Sequence, residues 1–153
     1  EGDVLATFIW FAVLYTLSSQ LNEMGFMGYL GQRLASSLTG LSALSVAVVL
    51  IVAYVLLHYI FVSQTAHLLA LFGVFLDVGV RLGVNPTLLS FHLLFATNYF
   101  SMITPQGSSA NLLFADSGFF SQNELYKLGA ITTGACFLIY AIVATPWLML
   151  AIR

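Results

Sequence analysis

The distribution of charge along this chain limits its folding more than any other feature. Residues 34–76, 82–115 and 128–152 contain no Asp, Glu, Lys or Arg. Each stretch is longer than the roughly 17–25 residues that a helix needs to cross a bilayer. A soluble domain carries about 25% charged residues, whereas this chain carries 7%, with 60% hydrophobic residues and a mean hydropathy of +0.99. The reading is an all-α, multi-pass membrane protein. Helices are expected because lipid leaves no solvent to satisfy an exposed backbone, so each spanning segment must bond internally.

Several function classes fall away on composition. Four Lys and Arg scattered over the chain cannot form the basic patch that nucleic acid requires. Cys136 is the single cysteine, which excludes an internal disulfide and a multi-cysteine metal site; in its apolar run it reads as a small buried residue. His58, His67 and His92 stand nine and twenty-five residues apart, with no HExxH pattern and no thiol partner, so no metal site is expected. His58 and His92 read as packed, hydrogen-bonded histidines, and His67 as a residue near a site. An intramembrane serine protease would want a Gly-x-Ser-Gly nucleophile, which Gly107-Ser108-Ser109 does not match. Asp77 and Asp116 lie beside presumed segment ends, outside any Gly-x-Gly-Asp setting, so the aspartyl type is not supported either. The chain is not expected to be an enzyme.

The order of segments is legible. Residues 4–21 read as a transmembrane helix, followed by a turn and by Gly25, Gly28 and Gly31. That spacing gives either a bare strip for close helix approach or a plain linker. Residues 41–80 form a long apolar piece, a polar interruption at Ser63-Gln64-Thr65-Ala66-His67, and a piece too short for an easy crossing before Arg81. This pattern predicts a re-entrant hairpin whose tip faces protein or a cavity. Tyr54, His58, Phe61 and Thr65 share one helix face. Gly79 and Gly83 are a small-xxx-small pair that could pack helices.

Asn85-Pro86 suits the start of an interrupted helix over 87–118. Ser90, Thr97, Ser101 and Thr104 line one face of it, with Asn98 at the edge. The helix should break at Thr104-Pro105-Gln106-Gly107-Ser108-Ser109-Ala110-Asn111, where proline removes a donor and glycine tolerates unusual dihedrals. Ser121 and Glu124 have capping-box spacing. They would open a short interfacial helix that leads into a last crossing over 128–150, kinked at Pro146 and anchored by Trp147.

Two polar interruptions in apolar sequence are the strongest chemical signal. An unwound stretch in lipid costs several kcal/mol per unsatisfied group, so it is tolerated where it binds something or lines a cavity. Helix ends at such a break offer amides to an anion or carbonyls to a cation. The loops supply Ser63, Thr65, Ser108, Ser109 and Asn111 as neutral hydrogen-bonding groups, a set suited to a charged solute that binds and leaves again. Against this, hydroxyls in membrane helices often bond back to the preceding turn. A channel or a structural membrane protein remains the alternative to a transporter.

In order and spacing, these motifs resemble the C-terminal half of the divalent anion:sodium symporter family, and within it the branch of citrate, 2-oxoglutarate, malate and tartrate transporters. That family carries Ser-Asn-Thr at the tip of each of two re-entrant hairpins, and its exchanger-like branch varies the middle residue and adds Ala-His. Ser63-Gln64-Thr65-Ala66-His67, preceded by His58-Tyr59, is similar to that version. The family's broken-helix motif is matched by Thr104, Gly107, Ser108 and Ser109, continuing through Asn111 to Asp116-Ser117-Gly118. Leu128-Gly129 matches the pair that follows its short amphipathic helix. Gln64 stands where the family has Asn, Pro105 and Gln106 replace bulky residues, and Ala110-Asn111 departs from Pro-Ala.

The resemblance implies one inverted repeat of a homodimeric, elevator-type secondary transporter of di- or tricarboxylates in a bacterial inner membrane. Residues 1–153 would then be the C-terminal repeat of a longer protein, which fits an opening of Glu1-Gly2-Asp3 without methionine. An N-terminal half would supply the rest of the substrate site. The implied substrate-binding residues are Ser63, Gln64, Thr65, Thr104, Gly107, Ser108, Ser109 and Asn111. If a cation is coupled, Ser63, Thr65, Thr104 and Ser108 would surround it; His67 and Asn98 lie near the site. No cofactor is implied beyond Na+ as a coupling ion, and sodium symport, exchange and carriage of another anion all remain open.

Overall fold

A computed structural model of the chain describes residues 5, 9, 12–13, 16–17, 19–20, 23–60, 64–104, 107–108, 111, 115 and 118–152. Most of the first expected crossing therefore lies outside the described residues; those described between 5 and 20 are helical. The elements that follow are helices, as the charge pattern required. They are α1 (Phe26–Ser37), α2 (Ala43–Leu57) with a 3-10 turn at His58–Ile60, α3 (Gln64–Arg81) and α4 (Pro86–Tyr99) with a 3-10 turn at Phe100–Met102. The chain closes with α5 (Gln122–Ile139), a π turn at Tyr140–Ala144 and α6 (Thr145–Ala151).

Local chemistry explains the helix starts. Ser42 caps α2 by accepting from the Ser45 amide. Asn85 caps α4 by accepting from Leu88, with Pro86 in the first turn, where its missing N–H costs nothing. Ser121 and Glu124 form the full reciprocal capping box of α5. Between α3 and α4 the chain reverses at Gly83, whose φ of +84° suits glycine.

Three expectations change in the folded chain. The glycine strip on α1 is not a packing face. A Cβ on Gly28 would meet nothing, Gly25 takes a left-handed turn at the helix start, and only Gly31 sits against Val74, Asp77 and Val78 of α3. Gly79 does allow close approach, since a Cβ there would strike Leu89 of α4 and crowd Leu50 of α2, but its supposed partner Gly83 serves the turn. Finally, the separate interfacial and crossing helices near the C-terminus are one run. Gln122–Ala151 is 30 residues long, and among the described residues it is the helix long and apolar enough to cross a membrane. Pro146 is accommodated by the π turn just before it: the Thr145 N–H reaches back five residues to the Tyr140 carbonyl, widening the helix ahead of a residue that cannot donate.

Helix α4 is the centre of the assembly, packing against α2, α3, α5 and α6, while α1 packs on α3. The core gathers Val46, Leu50 and Tyr54 of α2, Leu71, Phe75 and Val78 of α3, and Leu89, Leu93 and Ala96 of α4, with Phe100 beyond it. Along the last run, Gln122–Ala151, by contrast, only 6% of the most apolar stretch is buried. This outward apolar face, together with the family evidence below, makes the protein an all-α, membrane-associated fold.

Candidate functional site

The site is built where the junction of α2 and α3 meets the end of α4. Residues 61–63, including Ser63, lie outside the described residues, as do Pro105, Gln106 and Ser109. Helix α3 begins at Gln64, so its positive end and the exposed Thr65 stand at this junction. The side-chain amide of Gln64 donates to the backbone carbonyl of Thr97 on α4. One further polar link joins the same elements: the Tyr54 hydroxyl lies 3.4 Å from Thr97 Oγ1.

Beneath the junction sits an aromatic cluster from three elements. Tyr54, His58, His67 and Phe100 are each 0% exposed, and Phe75 2%. The His67 ring lies 4.2 Å from Tyr54 and 4.8 Å from Phe100, and His58 lies 4.0 Å from Phe100 and 5.4 Å from His67. The expectation that His58 is packed holds; among the described residues neither ring nitrogen makes a well-formed hydrogen bond, although the ring lies by the backbone of Gly107. His92 is bonded as expected, through Nδ1 to the Leu88 carbonyl at 2.8 Å and Nε2 to Thr145 Oγ1 at 2.8 Å. Among the described residues, no group of three or more His, Cys, Asp or Glu comes together as metal ligands.

Helix α4 stops being α-helical earlier than the proline and glycine predict. It tightens at Phe100, with the Phe100 N–H on the Ala96 carbonyl. Beyond Met102 the chain folds back on itself around two residues. Gly107 donates to the Thr104 carbonyl at 3.0 Å, and it is buried so close to Ser101 that a Cβ would run into the Ser101 carbonyl. The Asn111 amide donates to the carbonyls of Ser101 (2.6 Å) and Thr104 (3.1 Å), and its backbone N–H donates to Ser108 Oγ (3.2 Å). Both side-chain hydrogens of Asn111 are thereby engaged, leaving its oxygen, which can only accept. The break is held together by its own residues.

The hydroxyl stripe of α4 turns largely inward on its own helix. Thr97 donates to the Leu93 carbonyl at 2.9 Å, and Ser101 to that of Asn98 at 3.4 Å. Asn98 itself is exposed, whereas Thr104 and Ser108 are half-buried. A cavity of about 190 Å³ opens on the other side of the break, walled by Thr104 and Asn111, by Met102 and Ile103, and by Leu128 and Gly129 of α5. Among the described residues none of α2 or α3 lines it, and its walls come from the break and the last helix.

Two contacts of α5 could not be read from the sequence, although Gly129 stands out there in the Leu128-Gly129 pair. Gly129 lets α5 touch the backbone of Met102 and Ile103, and the buried Thr133 hydroxyl donates to the Tyr99 carbonyl at 2.8 Å. The link through Tyr54 and Thr97 had a partial signal, since each residue was visible on a polar helix face but not their meeting.

The junction of α2 and α3 thus brings the start of α3 and the Thr65 hydroxyl beside the end of α4, where the Thr97 carbonyl receives Gln64. Comparison of the whole sequence decides the family, because the sodium:sulfate symporter transmembrane region matches residues 5–152. This chain belongs to that family, the divalent anion:sodium symporters. It is 32% identical over 149 residues to a chloroplastic dicarboxylate transporter of Arabidopsis thaliana, covering 96% of this chain and 26% of the relative. A putative malate transporter of Bacillus subtilis is 33% identical over 147 residues, with 96% and 31% covered. The L-tartrate/succinate antiporter of Escherichia coli is 35% identical over 138 residues, with 89% and 28% covered. The chain thus spans between a quarter and a third of the length of these relatives. Membership places it in a family described as symporters.

Proposed function

We propose that this chain is the C-terminal repeat of a secondary transporter that carries di- or tricarboxylates. The observation that carries the reading is the bond from Gln64 to the Thr97 carbonyl: it brings the first polar interruption onto the helix that leads into the second, in a chain whose relatives are a dicarboxylate transporter, a malate transporter and a tartrate/succinate antiporter. Helices α2 and α3 are the two arms of a re-entrant hairpin, and residues 87–118 the interrupted helix. An N-terminal half of the same protein contributes an inverted second repeat, and a homodimer moves its transport domains as an elevator in a bacterial inner membrane.

Substrate carboxylates bond to Ser63 and Thr65 at the positive end of α3, with Ser108, Ser109 and backbone amides near Gly107 facing them. Gln64 and Thr104 complete the wall. Asn111 keeps the break in shape and turns its oxygen toward any hydroxyl or cation. If sodium is coupled, oxygens of Ser63, Thr65, Thr104 and Ser108 hold it; an exchanger needs no such ion.

The test is uptake by the full-length protein in liposomes, with labelled succinate, malate, 2-oxoglutarate and citrate, with and without a sodium gradient or internal dicarboxylate. Thr65→Ala should abolish uptake while leaving insertion intact. Uptake that requires sodium identifies symport, and uptake that requires internal dicarboxylate identifies exchange. Sulfate belongs in the same panel, because the family description names it; uptake of sulfate alone would replace the carboxylate reading.

A further inference from the structure

Thr97 sits where three polar connections cross. Its hydroxyl has one hydrogen and donates it to the Leu93 carbonyl at 2.9 Å, so toward Tyr54, 3.4 Å away, it can only accept. Tyr54 is therefore the donor, and its buried hydroxyl is satisfied. The Thr97 carbonyl has a different history. The α ladder of α4 closes with Phe100 N–H on the Ala96 carbonyl, so the next carbonyl in line, that of Thr97, is the first released when the chain tightens into the 3-10 turn. Gln64 captures it. Tyr54 lies on α2 and Gln64 opens α3, so both arms of the hairpin are tied to one residue of the interrupted helix.

We propose that Thr97 is a positioning residue of the transport site, and that Gln64 acts through it rather than as a substrate ligand. With Gln64 bonded to the Thr97 carbonyl, the start of α3 is fixed in rotation, and Thr65, one residue on, is turned outward, where it is exposed. Side chains one residue apart on a helix point about 100° apart, so anchoring Gln64 against α4 dictates where Thr65 faces. The Tyr54 bond holds the other arm at the same depth. Recognition of carboxylates then falls to the Thr65 hydroxyl and the helix end, and the length of residue 64 matters because it must span the gap to α4. This inference rests on the proposed transport reading for its effect on substrate, but not for the positioning itself.

The experiment uses the full-length protein in a cysteine-free background carrying Thr65→Cys as a reporter, labelled with a membrane-permeant maleimide. Gln64→Met keeps length and removes the donor. Thr97→Val removes only the hydroxyl, Tyr54→Phe only the phenol, and Thr97→Ser retains both groups. One lost hydrogen bond should shift the reporter's labelling rate by about three- to tenfold in Gln64→Met. Tyr54→Phe and Thr97→Val should each shift it less, the double variant no further than the larger single, since they remove the same bond. Thr97→Ser should restore the parental rate.

In variants that keep Thr65, Gln64→Met and Thr97→Val should raise the KM for dicarboxylate with Vmax little changed. An unchanged labelling rate in both Gln64→Met and Thr97→Val overturns the proposal, as does additivity of Tyr54→Phe with Thr97→Val. If the parent carries no dicarboxylate at all, the transport reading fails, while the labelling arm still decides whether Thr97 positions the hairpin. Should Gln64→Met not insert, Tyr54→Phe and Thr97→Ser, which disturb least, decide between the outcomes.

Discussion

Two glycines of the last helix, five residues apart, should respond oppositely to alanine. A Cβ on Gly129 would lie 2.8 Å from Ile103 Cα and enter the Met102 carbonyl. Ordinary carbon contacts are about 3.5–4.0 Å, and backbone atoms cannot rotate aside, so α5 must withdraw by roughly 1 Å. One turn along, Thr133 Oγ1 donates to the buried Tyr99 carbonyl at 2.8 Å, a bond that such a shift stretches beyond useful length. Overpacking costs about 1–3 kcal/mol and the lost bond about 1 kcal/mol. The helix propensity gained over glycine returns about 0.5–1 kcal/mol, leaving a net destabilisation of roughly 1–3 kcal/mol. A Cβ on Gly134 meets nothing within 4 Å, so Gly134→Ala should gain the propensity alone, about 0.5–1 kcal/mol. Thermal unfolding in detergent, followed by loss of the monodisperse peak, compares the two directly. If Gly129→Ala proves as stable as Gly134→Ala, the close approach of α5 to the break is wrong.

Other consequences can be measured alongside. Phe100→Ala removes the ring that packs on His58 and His67 and should cost about 3 kcal/mol in the same unfolding assay. Thr145→Val deletes the partner of His92 Nε2 and should lower stability by about 1 kcal/mol; Thr145→Ser should not. Hydrogen bonds from the Ser121 side chain and backbone hold the Glu124 carboxyl below its usual range. A group with a lowered pKa stabilises the fold above its unfolded pKa and loses that contribution as pH falls through the lower folded value. Protection of the amides in the first turn of α5, measured as observed exchange relative to the intrinsic rate at each pH, should therefore fall under acid conditions in the parent, and Glu124→Gln should remove most of that fall in protection.

Much of the fold could be read from the chain because lipid enforces simple rules. Uncharged stretches had to be helices, and Ser42, Asn85 and the Ser121–Glu124 pair marked helix starts through bonds that span three or four residues. Those interactions are local, so sequence spacing determines them. The polar interruptions were legible for a related reason: Pro105, Gly107 and the serines around them cannot continue a helix in lipid without a compensating role. Which of these groups face one another was not legible, and neither was Asn111 as the clamp of the break, since its partners Ser101 and Thr104 are ten and seven residues away on a reversed chain.

What the sequence alone determined, then, was the helical class, the segment order, the two interruptions and the family. What only the tertiary structure decided was how the segments meet. Thr97 looked like one hydroxyl in a stripe, yet it joins α2, α3 and α4 because the ladder of α4 ends one residue before its carbonyl. Gly28 and Gly129 are the same residue type in similar apolar settings, and only one of them touches another backbone. The physical reason is that helix formation answers to neighbours within a turn, whereas packing answers to atoms brought together from 30 to 45 positions away, as in Gln64 with Thr97 and Tyr54 with Thr97. No local pattern encodes those pairings, because each depends on where every other helix has already been placed.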